Sequence, residues 1–332
     1  MQVLIVNQAE VAELLPMDGC MAVMEEVLKA TVRGEVILPL RPIMWLPEQR
    51  GALGMMPSYL ANPPAIGLKV ITVFPGNEGT PFDAHQGAVL LFEPEHGSLL
   101  AIMDATEITA IRTAAVSGVA TRALAREGAG DLAILGSGVQ ARTHLEAMLE
   151  ARPIHRVRVW SRNPMNAFRF ADREARRHGL AIEILDTAEK AVDGAQIICT
   201  TTSSREPVLA GEWIAPGTHV NAVGSSTANA REIDTEAMVR SRLFVDRRES
   251  ALNEAGDFLI PRQEGAIGDE HIQAELGEVL LGNVAGRRSP EEITLFKSLG
   301  LAVEDAASAH YIYEQAQREG MGTMIELGGG RS

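Results

Sequence analysis

The amino-acid sequence predicts an α/β protein that combines a Rossmann doubly wound domain with a discontinuous α+β domain. Residues 131–245 alternate short apolar segments with helical ones, which is typical of a doubly wound parallel sheet. Residues 35–92 hold consecutive strand-like segments with short turns between them, which indicates an antiparallel meander. A helix predicted over residues 301–317 follows the last of the later strands, and we expect it to pack back on the first domain.

Size and charge exclude several classes of function. The 332 residues suit two domains at about 150 residues each. The formal charge of −14 argues against nucleic acid or an anionic membrane surface as the main partner. No apolar run approaches the roughly 18 residues of a spanning helix, and the N-terminus lacks the basic start of a signal peptide. Since Cys20 and Cys199 are the two cysteines, we expect no disulfide framework, no metal site and a reducing, cytoplasmic setting.

The first domain is predicted to cover residues 1–125 and 302–332, so that the last helix makes it discontinuous. The glycine-rich end, residues 328–332, is expected to fray. The other elements predicted from periodicity and turn residues are a helix over 21–30, strands at 35–40, 52–59, 66–74 and 88–92, and a long Ala-rich helix over 109–126.

The second domain is predicted to cover residues 126–301. It alternates helices with short apolar strands, as a parallel sheet requires. The predicted strands are 131–135, 156–160, 182–185, 196–200, 219–223, 243–245 and 293–298, with helices running to about 151 and over 165–178.

A glycine-rich turn follows the first strand of this domain, where Gly136 to Ala141 read G-S-G-V-Q-A. In a G-x-G-x-x-A turn, the first glycine permits the tight bend and the second permits close approach of a pyrophosphate. The helix that follows directs free N–H groups and its positive end toward phosphate. The alternative is a glycine turn with a structural role alone. The predicted dinucleotide-binding residues are Gly136, Gly138, Val139, Gln140, Thr201 and Val223.

The residues that distinguish NAD from NADP follow the second strand of this domain. Here they are Ser161, Arg162 and Asn163, directly after Trp160. An acidic residue at this point would bind the ribose 2′-hydroxyl of NAD, and none is present. Arg162 suits a 2′-phosphate, and Ser161 and Asn163 offer hydrogen bonds to it. The sequence therefore favours NADP(H) over NAD(H), with a solvated surface arginine as the alternative.

Segments that match a known family are spread over most of the chain. They are GALGMMPSY (51–59), LKV (68–70), AHQGAVLLFEPEHGSLLAIMD (84–104), ITAIRTAAVSGVAT (108–121), ILGSGVQA (134–141), VRVWSRN (157–163), GEWIAPGTHVNAVGSS (211–226), REID (231–234), AELGEVLLG (274–282) and ITLFKSLGLAVEDAASAHYIY (293–313). The chain resembles the ornithine cyclodeaminase and mu-crystallin family, and within it the mu-crystallin or ketimine reductase branch. The resemblance implies a homodimer built through the first domain and a nicotinamide cofactor in the Rossmann domain. It also implies a small carboxylate-bearing imine or amino acid between the domains.

The resemblance assigns roles to three basic residues. Arg41 and Arg112 match arginines that bind the substrate α-carboxylate, a task that suits the guanidinium fork. Lys69 matches a lysine at the reacting centre, where it would donate a proton directly or through water. We expect apolar surroundings and the two arginines to lower the pKa of Lys69. Without the resemblance, the arginines suit surface ion pairs and the lysine suits a snorkelling side chain.

Two further residues are assigned to the substrate pocket. His85 precedes a strand and either lines the pocket or has a structural role. Met56 either shapes an apolar part of the pocket or packs in the core.

Two carboxylates of true ornithine cyclodeaminases are missing. The residue before the M-P step is acidic in those enzymes, and here the step follows Gly54 and Met55. Ser226 stands where a V-G-x-D pattern has a catalytic aspartate. An unassisted serine is a poor general base, and the mu-crystallin branch also has serine here, so Ser226 is assigned to bind the substrate or the nicotinamide.

These residues predict NAD(P)H-dependent reduction of a C=N bond next to a carboxylate, with Lys69 and Ser226 as the catalytic residues. Cyclic ketimines such as pyrroline- or piperideine-2-carboxylate, and acyclic imines of keto acids, are the candidate substrates. The alternatives are a cyclodeaminase or dehydratase with tightly held NAD, and a protein that binds a small ligand without turnover.

Overall fold

The computed structural model describes residues 1–77 and 80–328 of the chain. Every helix in these ranges is too short or too polar to cross a bilayer. The Gly-rich end that was predicted to fray lies outside them from residue 329 onward.

The chain forms two compact units, and the first is discontinuous. It comprises residues 1–112 and the chain from Gly300 onward, and the second unit comprises residues 113–299. The sequence-based boundaries at 125/126 and 301/302 therefore differ from the structural ones, and the first structural boundary falls inside a long helix.

Sixteen strands form within the described ranges. In chain order they are β1 (Gln2–Val6), β2 (Val36–Ile37), β3 (Ile43–Trp45), β4 (Ala52–Ala61), β5 (Pro64–Val73), β6 (His85–Phe92), β7 (Leu99–Asp104), β8 (Asp131–Leu135), β9 (Arg156–Trp160), β10 (Ile182–Ile184), β11 (Ile197–Thr200), β12 (His219–Ala222), β13 (Ser241–Val245), β14 (Ile272–Glu275), β15 (Ile293–Lys297) and β16 (Thr323–Glu326).

Eleven α-helices form in the same ranges. They are α1 (Gln8–Leu14), α2 (Met17–Val32), α3 (Ala105–Leu124), α4 (Val139–Ala151), α5 (Pro164–His178), α6 (Ala188–Val192), α7 (Thr235–Arg240), α8 (Arg248–Glu254), α9 (Gly256–Gln263), α10 (Leu276–Leu280) and α11 (Ala302–Glu319).

The sheet of the first unit has the order β16-β1-β7-β6-β5-β4-β2, and β3 also pairs with β4. Strands β4, β5, β6 and β7 pair in succession, each antiparallel to the one before it, which confirms the predicted meander. Strand β7 also pairs with β1, in parallel. The strand predicted over 35–40 is reduced to β2, since Pro39 lacks the N–H that a sheet ladder needs. Helix α3 begins earlier than predicted, and the Asp104 side chain accepts the N–H of Glu107 in its first turn at 2.8 Å.

Helix α11 belongs to the first unit and packs against β4, β5 and β6. The Ser58 hydroxyl donates to the Ala302 carbonyl at the start of this helix, at 3.0 Å. Gly67 lies opposite Ser58 on β5, and a Cβ at Gly67 would overlap Ala306 of the helix. This glycine therefore lets the first turns of α11 lie directly on the sheet.

The sheet of the second unit is parallel throughout, with the order β10-β9-β8-β11-β12-β15-β13-β14. This confirms the predicted doubly wound fold. The chain order reverses between β8 and β11, and such a switch point is where open α/β sheets bind ligands. The glycine turn after β8 lies at this point, as does Thr201, which follows β11.

Candidate active site

Lys69 lies on β5 with its side chain almost fully buried, at 2% exposure. Its Nζ lies 2.7 Å from Oδ2 of Asp305 in the first turns of α11. It also donates to the Thr109 hydroxyl of α3 at 3.3 Å. The side chain is therefore held by two helices inside the first unit, which excludes the snorkelling alternative.

Arg112, on α3, is also buried and is paired with two carboxylates. Its Nη1 lies 2.9 Å from Oε2 of Glu304, and its Nε lies 3.0 Å from Oδ1 of Asp305. Both acids lie at the N-terminal end of α11, where the helix dipole stabilises negative charge. Gly300, at φ +77°, lies against the guanidinium, and a Cβ there would come within 2.8 Å of Nη2.

Glu304 and Asp305 are site residues that the sequence analysis did not single out. Asp305 contacts Lys69 with one oxygen and Arg112 with the other. A usable signal was present, since two adjacent acids interrupt an otherwise apolar buried face at the start of α11. Buried acids of this kind require cationic partners.

The other predicted pocket residues lie around Lys69. Met56 is directly opposite Lys69 in the β4–β5 pair and is buried, so the two side chains share one face of the sheet. Arg41 lies between β2 and β3 and is half-exposed, and its positive charge acts on Lys69. His85 is the first residue of β6. Although the residue as a whole is exposed, desolvation of its ring and then the Lys69 charge lower the pKa of His85.

Burial lowers the pKa of Lys69 to about 8. The negative charge of Asp305 opposes this shift, whereas the positive charges of Arg112 and Arg41 add to it. An amino group with a pKa near 8 exchanges a proton readily at neutral pH, as general acid catalysis requires.

The glycine turn of the second unit has the backbone that the motif predicts. Gly136 has φ +125°, and a Cβ there would lie 2.7 Å from two oxygens of Thr201. Its N–H donates to the Trp160 carbonyl at 2.8 Å, which joins the ends of β8 and β9. Gly138 is the N-cap of α4, and a Cβ there would meet open space. The first glycine is thus required by close packing, while the second leaves the N-terminus of α4 open to a ligand.

The remaining turn residues follow Gly138 in the first turn of α4. Val139 is exposed and Gln140 is half-buried. The Gln140 carbonyl accepts from Nδ1 of His144 at 2.7 Å, and Nε2 of that histidine pairs with the Ser117 hydroxyl at 2.9 Å. The buried His144 therefore links the first turn of α4 to Ser117 of α3 by hydrogen bonds.

The predicted cofactor-selecting residues lie at the end of β9. The hydroxyls of Ser137 and Ser161 are 2.9 Å apart, which joins this segment to the glycine turn. Asn163 caps α5, with its side-chain oxygen accepting the N–H of Met165 at 3.0 Å. Arg162 lies between them and is exposed.

The two remaining cofactor-binding candidates continue the ends of β11 and β12. The Thr201 N–H donates to the Leu135 carbonyl at 2.8 Å, and the Val223 N–H donates to the Thr200 carbonyl at 3.1 Å. Ser226 follows in the same loop and is exposed, next to the buried Ser225.

Buried charges that the sequence analysis missed hold this loop. Glu232 accepts the N–H of Gly224 at 2.6 Å. Lys297 donates to the Ala222 carbonyl at 3.2 Å and forms an ion pair of 2.9 Å with Asp257. The loop that carries Ser226 is therefore held by three buried ionisable side chains, those of Glu232, Lys297 and Asp257.

The fold defines a Rossmann-type α/β protein with a second, discontinuous α+β unit. The chain belongs to the ornithine cyclodeaminase/mu-crystallin family, whose model matches residues 1–320. This confirms the resemblance that the sequence motifs indicated.

Three proteins illustrate the similarity. Ketimine reductase mu-crystallin of Mus musculus is 43% identical over 281 residues, which cover 85% of this chain and 86% of that protein. The structure of Thermococcus litoralis Delta(1)-pyrroline-2-carboxylate reductase with NADH and L-proline matches at a TM-score of 0.95 and 40% identity, covering 97% of this chain and 99% of that one. An archaeal alanine dehydrogenase dimer with bound NAD matches at a TM-score of 0.93 and 34% identity, covering 98% and 100%.

Proposed function

We propose that this protein reduces a small imino acid, with a C=N bond next to a carboxylate, to the corresponding amino acid. The observation that carries the proposal is the buried Lys69 amino group, whose pKa is near 8, beside the paired Arg112. Relatives named as ketimine reductase and as pyrroline-2-carboxylate reductase support the same reaction.

The charges of the first unit suit a substrate carboxylate. Arg41, Lys69 and Arg112 carry three formal positive charges, and Glu304 and Asp305 carry two negative ones. Arg41 and Arg112 are assigned to hold the carboxylate, and the two acids fix the orientation of the Arg112 guanidinium.

Lys69 is assigned to give a proton to the imine nitrogen, directly or through water, because an iminium carbon is more electrophilic than a neutral imine carbon. NAD(P)H, when bound, supplies the hydride that this carbon accepts. The open N-terminus of α4 beyond Gly138 fits the pyrophosphate of such a cofactor. The exposed hydroxyl of Ser226 is assigned to a hydrogen bond with the substrate or the nicotinamide.

An imine screen tests the proposal. Loss of reduced cofactor is followed at 340 nm with pyrroline-2-carboxylate, piperideine-2-carboxylate and imines formed from keto acids with ammonia or methylamine. Stoichiometric cofactor oxidation with at least one of them is expected. Absence of turnover with every imine, together with conversion of ornithine to proline without cofactor consumption, would establish a cyclodeaminase instead.

We propose that the cofactor is NADP(H) rather than NAD(H), on the basis of the exposed Arg162 and the absence of an acid among residues 161–163. The solved relatives hold NADH and NAD, so the proposed preference for NADP(H) rests on the residues of this chain and not on those relatives. Arg162→Ala should raise the Kd for NADPH about 10- to 100-fold, since hydrogen bonds to charged groups contribute roughly 1.5–3 kcal/mol. Titration followed by nicotinamide fluorescence measures the affinities for NADPH and for NADH. Arg169→Ala, at an exposed position of α5, is the control, and equal weakening of NADH and NADPH binding by Arg162→Ala would contradict the proposal.

We propose that the protein is a homodimer formed through its first unit. Exposed apolar side chains cluster in and beside β2 and β3, which is typical of a protein interface. They are Ile37, Leu40, Ile43, Met44 and Trp45. Trp45→Asp should shift the mass in light scattering from dimer to monomer, whereas Phe168→Asp on α5, at the same 57% exposure, should leave it unchanged. A wild-type protein that elutes as a monomer at micromolar concentration would contradict the proposal.

We retain a reducing, cytoplasmic setting as a proposal. Cys20 and Cys199 are both free and buried, so neither depends on an oxidising compartment.

A further inference from the structure

We propose that Asp305 is a positioning residue for the reduction, because its single carboxylate joins Lys69 to Arg112 and keeps the Lys69 amino group protonated. The inference rests on the proposed function, and it adds Asp305 to the side chains assigned to catalysis and to binding of the carboxylate. Asp305 is assigned no contact with the substrate.

The contacts of Asp305 divide between its two oxygens. Oδ2 lies 2.7 Å from Nζ of Lys69, and Oδ1 lies 3.0 Å from Nε of Arg112. The two cations come from β5 and α3, and the carboxylate comes from α11. Since Asp305 is 1% exposed, water does not weaken either ion pair by screening.

The position of the carboxylate is set by the docking of α11. Ser58 holds the Ala302 carbonyl, and Gly67 permits close contact with Ala306. Asp305 lies between Ala302 and Ala306 in the helix. The contacts of these two residues with the sheet therefore fix the position of the Asp305 side chain beside Lys69. The carboxylate that contacts both Lys69 and Arg112 is therefore supplied by a helix residue 193 positions after Arg112 in the sequence.

The charged groups around Lys69 explain why its protonation depends on the Asp305 anion. Arg112 on α3 and Arg41 between β2 and β3 place positive charge near Lys69. His85 on β6 is a titratable neighbour, but desolvation and the Lys69 charge lower the pKa of His85 and favour its neutral form. Thr109 of α3, which accepts a hydrogen bond from the amino group, and Met56, which lies opposite Lys69 on β4, are uncharged. In the described part of the chain, the ion pair of Lys69 is with Asp305. Glu304 of α11 pairs with Arg112 and remains when Asp305 is replaced. Removal of the Asp305 anion nevertheless takes away the direct ion pair of the buried Lys69 ammonium and leaves the Arg41 and Arg112 charges near it, which favours loss of its proton.

The pH dependence of kcat tests this inference. In the wild type, kcat for imine reduction should fall above about pH 8, as Lys69 loses its proton. Asp305→Asn should move this fall to lower pH by about one unit or more, because an opposite charge at this range shifts a pKa by 1–3 units. Asp305→Glu retains the charge and should restore much of the wild-type profile.

Glu304→Gln is the matched control, since Glu304 is the neighbouring buried acid and pairs with Arg112. This change should raise KM for the imino acid through Arg112 but leave the alkaline fall of kcat in place. A merely structural role for Asp305 predicts that both substitutions lower activity without moving the pH profile, and that result would overturn the inference.

A second readout does not depend on turnover. Protein labelled with ¹³C at lysine Cε is titrated by NMR, and the Lys69 signal is assigned by its loss in Lys69→Met. A midpoint near pH 8 in the wild type and a lower one in Asp305→Asn support the inference even if no imine is reduced. An unchanged midpoint in Asp305→Asn overturns it. If Asp305→Asn does not fold, the wild-type titration decides, because a Lys69 midpoint below pH 7 means that Asp305 does not keep the amino group protonated.

Discussion

Replacing Lys69 with methionine is expected to lower kcat for imine reduction by about 100- to 10,000-fold, the range that general acid catalysis contributes. Methionine fills a similar volume among the apolar neighbours of β5 but has no proton to give. Without a proton donor, the imine stays neutral and accepts hydride slowly. Steady-state rates at pH 7 with saturating cofactor measure the loss.

The substitution also removes one cation from a buried ion pair. Breaking such a pair costs about 3–5 kcal/mol, although Arg112 still compensates Asp305. Thermal unfolding and cofactor titration of Lys69→Met therefore accompany the rates, so that a loss of chemistry is separated from a loss of fold.

Lys190→Met is the control for removal of a lysine. Lys190 lies on α6 of the second unit, where it forms a solvent-exposed pair with Asp186, and such pairs contribute little. Its replacement should leave kcat within about twofold of the wild type. A Lys69→Met enzyme that retains a tenth or more of the wild-type kcat would remove the catalytic role assigned to Lys69.

Local signals predicted the second unit well and the first unit less completely. The strands β8, β9 and β11 are short apolar runs, and each is recognisable without knowledge of its neighbours. In contrast, β1 gains its place by pairing with β7 and β16 at distant points of the chain. No periodicity within five residues encodes such a partner, so the sequence analysis missed β1 and β16. It also missed β7, although this strand is an apolar run that pairs with the preceding strand β6.

The candidate site divides in the same way. Gly136 and Gly138 were predicted from a compact motif whose geometry is local. Lys69 was singled out through the family resemblance, because an isolated lysine in a strand is chemically ambiguous. Asp305 was missed since its role depends on a helix returning to β5 across more than 200 residues. Its partners follow from tertiary packing alone.

Acidification from pH 6.5 to pH 4 is expected to destabilise the second unit by roughly 3 kcal/mol for each of two buried histidines, at 1.36 kcal/mol per unit of pKa shift. Burial lowers the pKa of His144 to about 4. Burial, and then the nearby Arg287 charge, lowers the pKa of His219 to about 3. In this pH range the unfolded chain binds protons that the folded chain does not, so acid favours unfolding. The stability is present above pH 6.5 and is lost as the pH falls.

The contacts of His219 explain why its neutral form is retained. Its ring nitrogens pair with the Thr294 hydroxyl at 3.0 Å and with the Asn221 side chain at 3.2 Å, and the residue is fully buried. His219→Gln keeps a neutral hydrogen-bonding side chain that does not titrate. Its free energy of unfolding should therefore fall less steeply with acid than that of the wild type.

Urea unfolding between pH 7 and pH 4.5 measures this slope. In a Trp45→Phe background the remaining tryptophans, Trp160 and Trp213, both report on the second unit. His96→Gln, at an exposed position of the first unit, is the control and should leave the slope unchanged. Other buried groups also titrate in acid, so the difference between His219→Gln and the wild type carries the prediction. Parallel pH profiles for these two proteins would mean that protonation of His219 is not coupled to unfolding, whatever the total loss of stability.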